Sequence, residues 1–209
     1  MSTNSRKLRF TANGLDKEIT LLLTFTPPAA GKPYEDVFPT CWQVITLKKG
    51  GPTEAHVEYT ANTAFASPQI DDGNLVTATS SALCGTGQKC SIIDDGVVTP
   101  AVPGDAGYLI CTNETTTATD IAVGFSDASG GDVEAVLVWE KVAVKSRVRA
   151  QFTPFMEIYA TNDYQETEVL RGAVESPLLW KKNLQTLNKQ TTMSVSVDGN
   201  TGEILIKDA

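Results

Sequence analysis

The run 132-DVEAVLVWEKVAVKSRVRAQF-152 decides the fold: 21 residues without a glycine or a proline. Val133, Ala135, Leu137 and Trp139 alternate on odd positions, whereas Val142, Val144, Val148, Ala150 and Phe152 alternate on even ones. A period of two marks a β-strand with one buried face, and a slip of one residue exchanges the two faces. At about 3.3 Å per residue the run would extend roughly 70 Å, too long for one straight strand in a chain of this size. The flip at Glu140-Lys141 therefore predicts a bulge, or a strand that leaves one sheet and joins another. Val136 and Val138 make the first half apolar on nearly both faces, which suits a central strand or a subunit interface. The second half has a basic outer face and an apolar inner one.

The same alternation spreads outward from this run. Leu8, Phe10 and Ala12 precede Asn13-Gly14, and Ile19, Leu21, Leu23 and Phe25 follow it, which predicts a β-hairpin. Residues 27–39 form a proline-rich loop, and strands follow over 41–47 and 54–65. Asp71-Asp72-Gly73-Asn74 and Asp94-Asp95-Gly96 are turn signals between short strands. Ser176-Pro177 ahead of Leu178, Leu179, Leu184 and Leu187 reads as an N-cap with proline at N1, predicting a short helix over 177–187. The chain closes on a hairpin in which Asp198-Gly199-Asn200-Thr201-Gly202 is the turn. With 26 threonines and 18 valines among 209 residues, β-branched side chains favour strands throughout. About a dozen short strands and one short helix predict an all-β, antiparallel two-sheet β-sandwich, as a single domain over 1–209.

A formal charge of −8 argues against partners that need a basic surface, nucleic acid and anionic membranes among them. No apolar stretch approaches the roughly 18 residues that span a bilayer. Residues 1–10 are polar and basic without an apolar core, which predicts a cytoplasmic protein with no signal peptide and no membrane insertion. Cys41, Cys84, Cys90 and Cys111 read as thiols packed like small apolar residues. Cys84 and Cys90 flank Gly85-Thr86-Gly87, and whether they are bonded across that turn stays open. With no CxxC pair and a single histidine, no metal is expected.

Catalytic signatures of the GxSxG, HExxH, P-loop and GxGxxG kinds do not occur. His56 shares its phase with Glu58 and Thr60, as an outward surface histidine. The doublets Asp71-Asp72 and Asp94-Asp95 precede glycine, where aspartate caps turns; with Asp163 and Glu166 they leave a carboxylate-pair hydrolase open. Calcium binding lacks the DxDxDG spacing. Lys141, Lys145, Arg147 and Arg149 form a basic stripe, read as a solvated face paired with Glu157, Glu166 and Glu168, or else as an anion site. In 159-YATNDYQE-166, aromatic faces lie beside amide and carboxylate groups. Tyr159, Asn162, Asp163 and Tyr164, with Trp180 further on, are the candidate ligand-binding residues for a planar molecule or a sugar.

Gln151-Phe152-Thr153-Pro154, residues 159–172, Ser176-Pro177-Leu178-Leu179-Trp180 and residues 198–206 resemble the C-terminal half of small proteins of mushroom fruiting bodies. That group includes the pink chromoproteins of oyster-type mushrooms. The resemblance implies an all-β fungal protein without enzymatic activity that holds a small aromatic pigment.

Residues and resemblance together predict a non-catalytic small-ligand-binding protein that holds an aromatic or pigment molecule. The alternative is a cytosolic lectin that binds carbohydrate through aromatic and Asp, Asn and Gln side chains. A homo-oligomer is also expected.

Overall fold

The structure is a computed structural model that describes residues 5–28, 32–72, 74–126 and 131–208. Gly73, part of one expected turn, lies outside them. The described residues form seventeen strands and two single 3₁₀ turns, with no α-helix among them. The predicted all-β class is the one adopted, as four hydrogen-bonded sheets.

Sheet I has the order β17 (Ile204–Asp208), β16 (Gln190–Val197), β1 (Ser5–Ala12), β5 (Thr53–Thr60). Sheet II runs β15 (Leu178–Asn183), β14 (Phe155–Ala160), β2 (Ile19–Phe25), β4 (Gln43–Leu47). Sheet III runs β3 (Phe38–Pro39), β12 (Val133–Val142), β11 (Thr119–Ser126), β6 (Thr63–Asp71), β7 (Leu75–Leu83). Sheet IV runs β13 (Arg147–Ala150), β10 (Leu109–Asn113), β8 (Gln88–Ile92), β9 (Val102–Pro103). The β1–β16 and β8–β10 ladders are parallel and the others antiparallel.

One core is shared by all four sheets. Leu8 and Phe10 come from sheet I, Leu21 and Phe25 from sheet II, Phe65 and Phe125 from sheet III, and Ile92 and Leu109 from sheet IV. Five rings meet at its centre. Phe125 lies 5.1 Å from Phe25, 4.7 Å from Tyr59 and 5.5 Å from Phe152, and Trp42 lies 5.1 Å from Phe25. Edge and tilted contacts of this kind add to the area that the rings remove from water. Burial pushes the Tyr59 phenol up to about 12.

The run at 132–152 both bulges and changes sheets. Between Ile121 and Thr119 the partner strand advances from Trp139 to Val142, so one extra residue is inserted at Glu140-Lys141. The bulged Lys141 has φ +51°, and its amide donates to Asp120 Oδ1 at 2.7 Å. After a turn through Lys145, at φ +62°, the chain enters sheet IV as β13. There Arg147 and Arg149 are exposed while Val148 and Ala150 are buried.

A second slip lies within β12, where the odd-position alternation does not hold. The register also shifts between Val123 and Gly124, opposite Val136. As a result Val133, Ala135 and Val138 join a second cluster on the outer side of sheet III, whereas Val136 and Leu137 both face the shared core. Two buried faces make the parity of an apolar run unreadable, because every residue suits either side.

Two further expectations are corrected. The helix over 177–187 is absent: residues 178–183 are β15, and only Leu184–Thr186 makes a 3₁₀ turn, capped by Asn183 accepting from the Gln185 amide. Long-range pairing overrides the Ser-Pro signal, since Trp180 pairs with Ile158 and Lys181 with Glu157. The Asn13-Gly14 turn is a corner and not a hairpin, carrying the chain from sheet I to sheet II. Gly14, at φ +69°, donates to the Gly50 carbonyl at 2.7 Å, beside the corner that leads back from β4 to β5.

The C-terminal hairpin forms as expected, β16 pairing with β17. All four cysteines are free and buried. Burial pushes the Cys41 thiol up to about 12, which suits packing more than reactivity. No helix among the described residues is long and apolar enough to cross a membrane.

Candidate functional site

A cleft of about 530 Å³ opens where the outer face of sheet II meets the edge of sheet IV. Four segments build it: Thr26-Pro27-Pro28 after β2, Tyr108, the run from Arg149 to Phe155, and Lys181. Tyr108 ends the loop before β10, positioned by Gly107 at φ +83° and by its own carbonyl accepting from the Gly87 amide at 2.8 Å. Arg149 projects from the outer face of β13, opposite Ile110. Gln151 and Thr153 lie on the connector to β14, which begins with Phe155. Lys181 comes from β15, opposite Glu157.

The Arg149 guanidinium lies over the Tyr108 ring, 3.5 Å from its centroid. Cation–π contact at this distance fixes a flat, charged platform. Asp105 touches the same guanidinium at 3.5 Å, which leaves most of its five N–H donors for other partners. Phe155, 40% exposed, offers an apolar ring to the same space.

Behind the cleft, Glu157 ties its wall together. One carboxylate oxygen accepts from Thr26 Oγ1 at 2.8 Å and from Lys181 Nζ at 2.7 Å, and the other accepts from the Tyr159 hydroxyl at 2.8 Å. Burial works to raise this carboxyl, yet Lys181, Thr26 and Tyr159 outweigh it and hold it below the usual glutamate range. Burial and the same carboxylate push the Tyr159 phenol well above its ordinary value.

A carboxyl lowered on folding contributes stability above its unfolded pKa of about 4.3 and loses it as pH falls through the folded value. The urea midpoint is accordingly expected to fall as pH drops below about 4.3, with a smaller drop in Glu157→Gln. Equal pH profiles for the two proteins would show that Glu157 is not tied in this way.

The five residues singled out in the sequence do not converge on one site. Tyr159 packs on the outer side of sheet II beside Leu22, Cys41 and Leu170. Trp180 sits in the shared core on the opposite side of that sheet, 7% exposed, its indole donating to Asp208 at 3.3 Å. Asp163 and Tyr164 do meet, in a separate hollow of about 480 Å³ under the 161–176 loop, together with Glu168, Arg171 and Glu175. Burial and then the charges of Asp163, Glu168 and Glu175 raise the Tyr164 phenol. Asn162 is exposed on the same loop.

Arg171 anchors this loop. It pairs with Glu140 at 2.5 Å, donates to Asn74 at 3.1 Å and lies 4.9 Å from the centre of the Phe38 ring.

The basic stripe finds other partners than Glu157, Glu166 and Glu168. Lys145 pairs with Glu114 and Arg149 with Asp105. His56 is exposed, as expected, 3.3 Å from Glu54. The Asp94-Asp95 doublet does lie in a turn, the 3₁₀ turn Asp94–Gly96, but Asp94 caps a different loop, accepting from the Thr116 amide at 3.1 Å.

Set against protein-family models, curated proteins and solved structures, the chain matches none. Arg149 is the one cleft residue that the basic stripe had marked. Tyr108, Phe155 and Lys181 carried no motif.

Proposed function

We propose that this chain is a non-catalytic binder of a planar aromatic molecule bearing an acidic group, held in the cleft between sheets II and IV. The observation that carries this reading is the Arg149 guanidinium stacked 3.5 Å over Tyr108 in a cleft that Phe155 also walls. One face of the guanidinium lies on tyrosine, and the other is a platform for a second ring. Gln151, Thr153 and Lys181 add directed donors for a carboxylate, phenolate or carbonyl on that ring. The two nearby carboxylates are engaged, Glu157 by three donors and Asp105 by Arg149. That suits holding a ligand more than moving protons. The resemblance of residues 151–154 and 159–172 to pigment-holding chromoproteins points the same way.

Titration calorimetry against a panel of aromatic carboxylates and phenolates, with benzene-ring amides as neutral controls, tests the reading. Acidic rings are expected to bind, more weakly at high salt. Arg149→Ala is expected to weaken them about tenfold, roughly 1.4 kcal/mol. Equal binding of neutral and acidic rings, or an Arg149→Ala protein that binds like the unchanged one, would overturn it. A glycan-array signal competed by free sugar and insensitive to salt would support the lectin alternative instead.

A further inference from the structure

β17 is the outer strand of sheet I, and its free side meets a groove of about 460 Å³ shared with β15. Pro177, Leu178, Leu179 and Leu205 line the groove. Leu178 and Leu205 are 49% and 37% exposed. The hairpin closes through the Asp198 amide donating to the Glu203 carbonyl at 2.8 Å. In an antiparallel ladder, hydrogen-bonded pairs alternate with non-bonded ones. Leu205 and Lys207, opposite Ser196 and Ser194, therefore bond to β16, while Ile204 and Ile206 direct their N–H and C=O groups outward.

The segment 203-EILIK-207 is complementary to itself. Laid antiparallel about Leu205, two copies place Glu203 opposite Lys207 at both ends and Ile204 opposite Ile206. The outward N–H and C=O groups then meet their counterparts, and the two Leu205 side chains touch across the axis. An edge lysine ordinarily guards a strand against pairing; here it finds a carboxylate on the incoming copy.

We propose that β17 is a self-association edge, and that its occupant is the β17 of a second copy of this chain about a two-fold axis at Leu205. Both charged residues are exposed, so the ion pairs can be reversed without touching the core. Sedimentation equilibrium on four full-length proteins tests the proposal, with circular dichroism to check that each is folded. The unchanged chain is expected to dimerise. E203K and K207E each set like charges opposite one another twice, and are expected to raise the dissociation constant about tenfold or more. The double variant E203K/K207E restores opposite charges in this register alone, and is expected to recover the dimer. A monomer at all concentrations would overturn the proposal. So would a dimer indifferent to either single reversal, or a double variant no tighter than the singles.

Discussion

Gly124→Ala is expected to cost about 3 kcal/mol or more of stability, because the added carbon has nowhere to go. A Cβ on Gly124 would sit 2.1 Å from the Glu134 carbonyl oxygen and 2.7 Å from its carbon. These are backbone atoms of the paired strand, so no side chain can swing aside. Val133 Cγ1 closes the third direction at 2.8 Å. The close approach follows from the register shift opposite Val136, which lets one strand lean onto the other. Gly199 supplies the control: nothing lies within 4 Å of its Cβ position, and Gly199→Ala is expected to stay within about 0.5 kcal/mol of the unchanged chain. Urea unfolding of the three proteins reads the difference. A Gly124→Ala protein as stable as the control would mean that the bulge at Val136 does not exist.

Phe125→Ala is expected to cost about 3–5 kcal/mol, the range for an aromatic side chain removed from a packed core. Phe125 is 2% exposed and lies within 6.3 Å, centroid to centroid, of Phe25, Trp42, Tyr59 and Phe152. Its loss empties the point where strands of sheets I, II and III meet, so the neighbours cannot close the gap without moving three sheets. Phe155, an exposed ring on the cleft wall, is the matched comparison, and Phe155→Ala is expected to shift the urea midpoint little. If both substitutions cost about the same, the four sheets do not share one core.

Strands were legible wherever one face was wet. The Glu140-Lys141 flip, the basic outer face of β13 and the C-terminal hairpin could all be read from alternation alone. The slip at Val136 could not, because apolar residues on both sides of β12 hide its parity. Residues 177–187 misled for a different reason: a Ser-Pro signal is local, whereas the pairs that make β15 join residues more than twenty positions apart, such as Glu157 with Lys181 and Ile158 with Trp180. Asn13-Gly14 suits a tight turn equally well in a hairpin or at a sheet-to-sheet corner, and the difference lies in distant partners: β1 pairs with β5 and β16, β2 with β4 and β14.

The candidate site was less legible for a geometric reason. Tyr159 and Trp180 look like neighbours on a list of aromatics, yet they fall on opposite faces of sheet II. The register shift between Ile158 and Tyr159 adds to that difficulty. The cleft instead gathers Tyr108, Arg149, Phe155 and Lys181, of which only Arg149 stood out in the sequence, as part of the basic stripe. Tyr159 keeps an indirect part in it, through its hydroxyl on Glu157.

The most direct measurement is a crystal structure of the chain with the tightest-binding aromatic acid. The ligand ring is expected on the outer face of the Arg149 guanidinium, facing Phe155, with its acidic group within hydrogen-bond reach of Gln151 or Lys181. A ligand lodged instead in the hollow of Asp163, Tyr164 and Arg171 would contradict it.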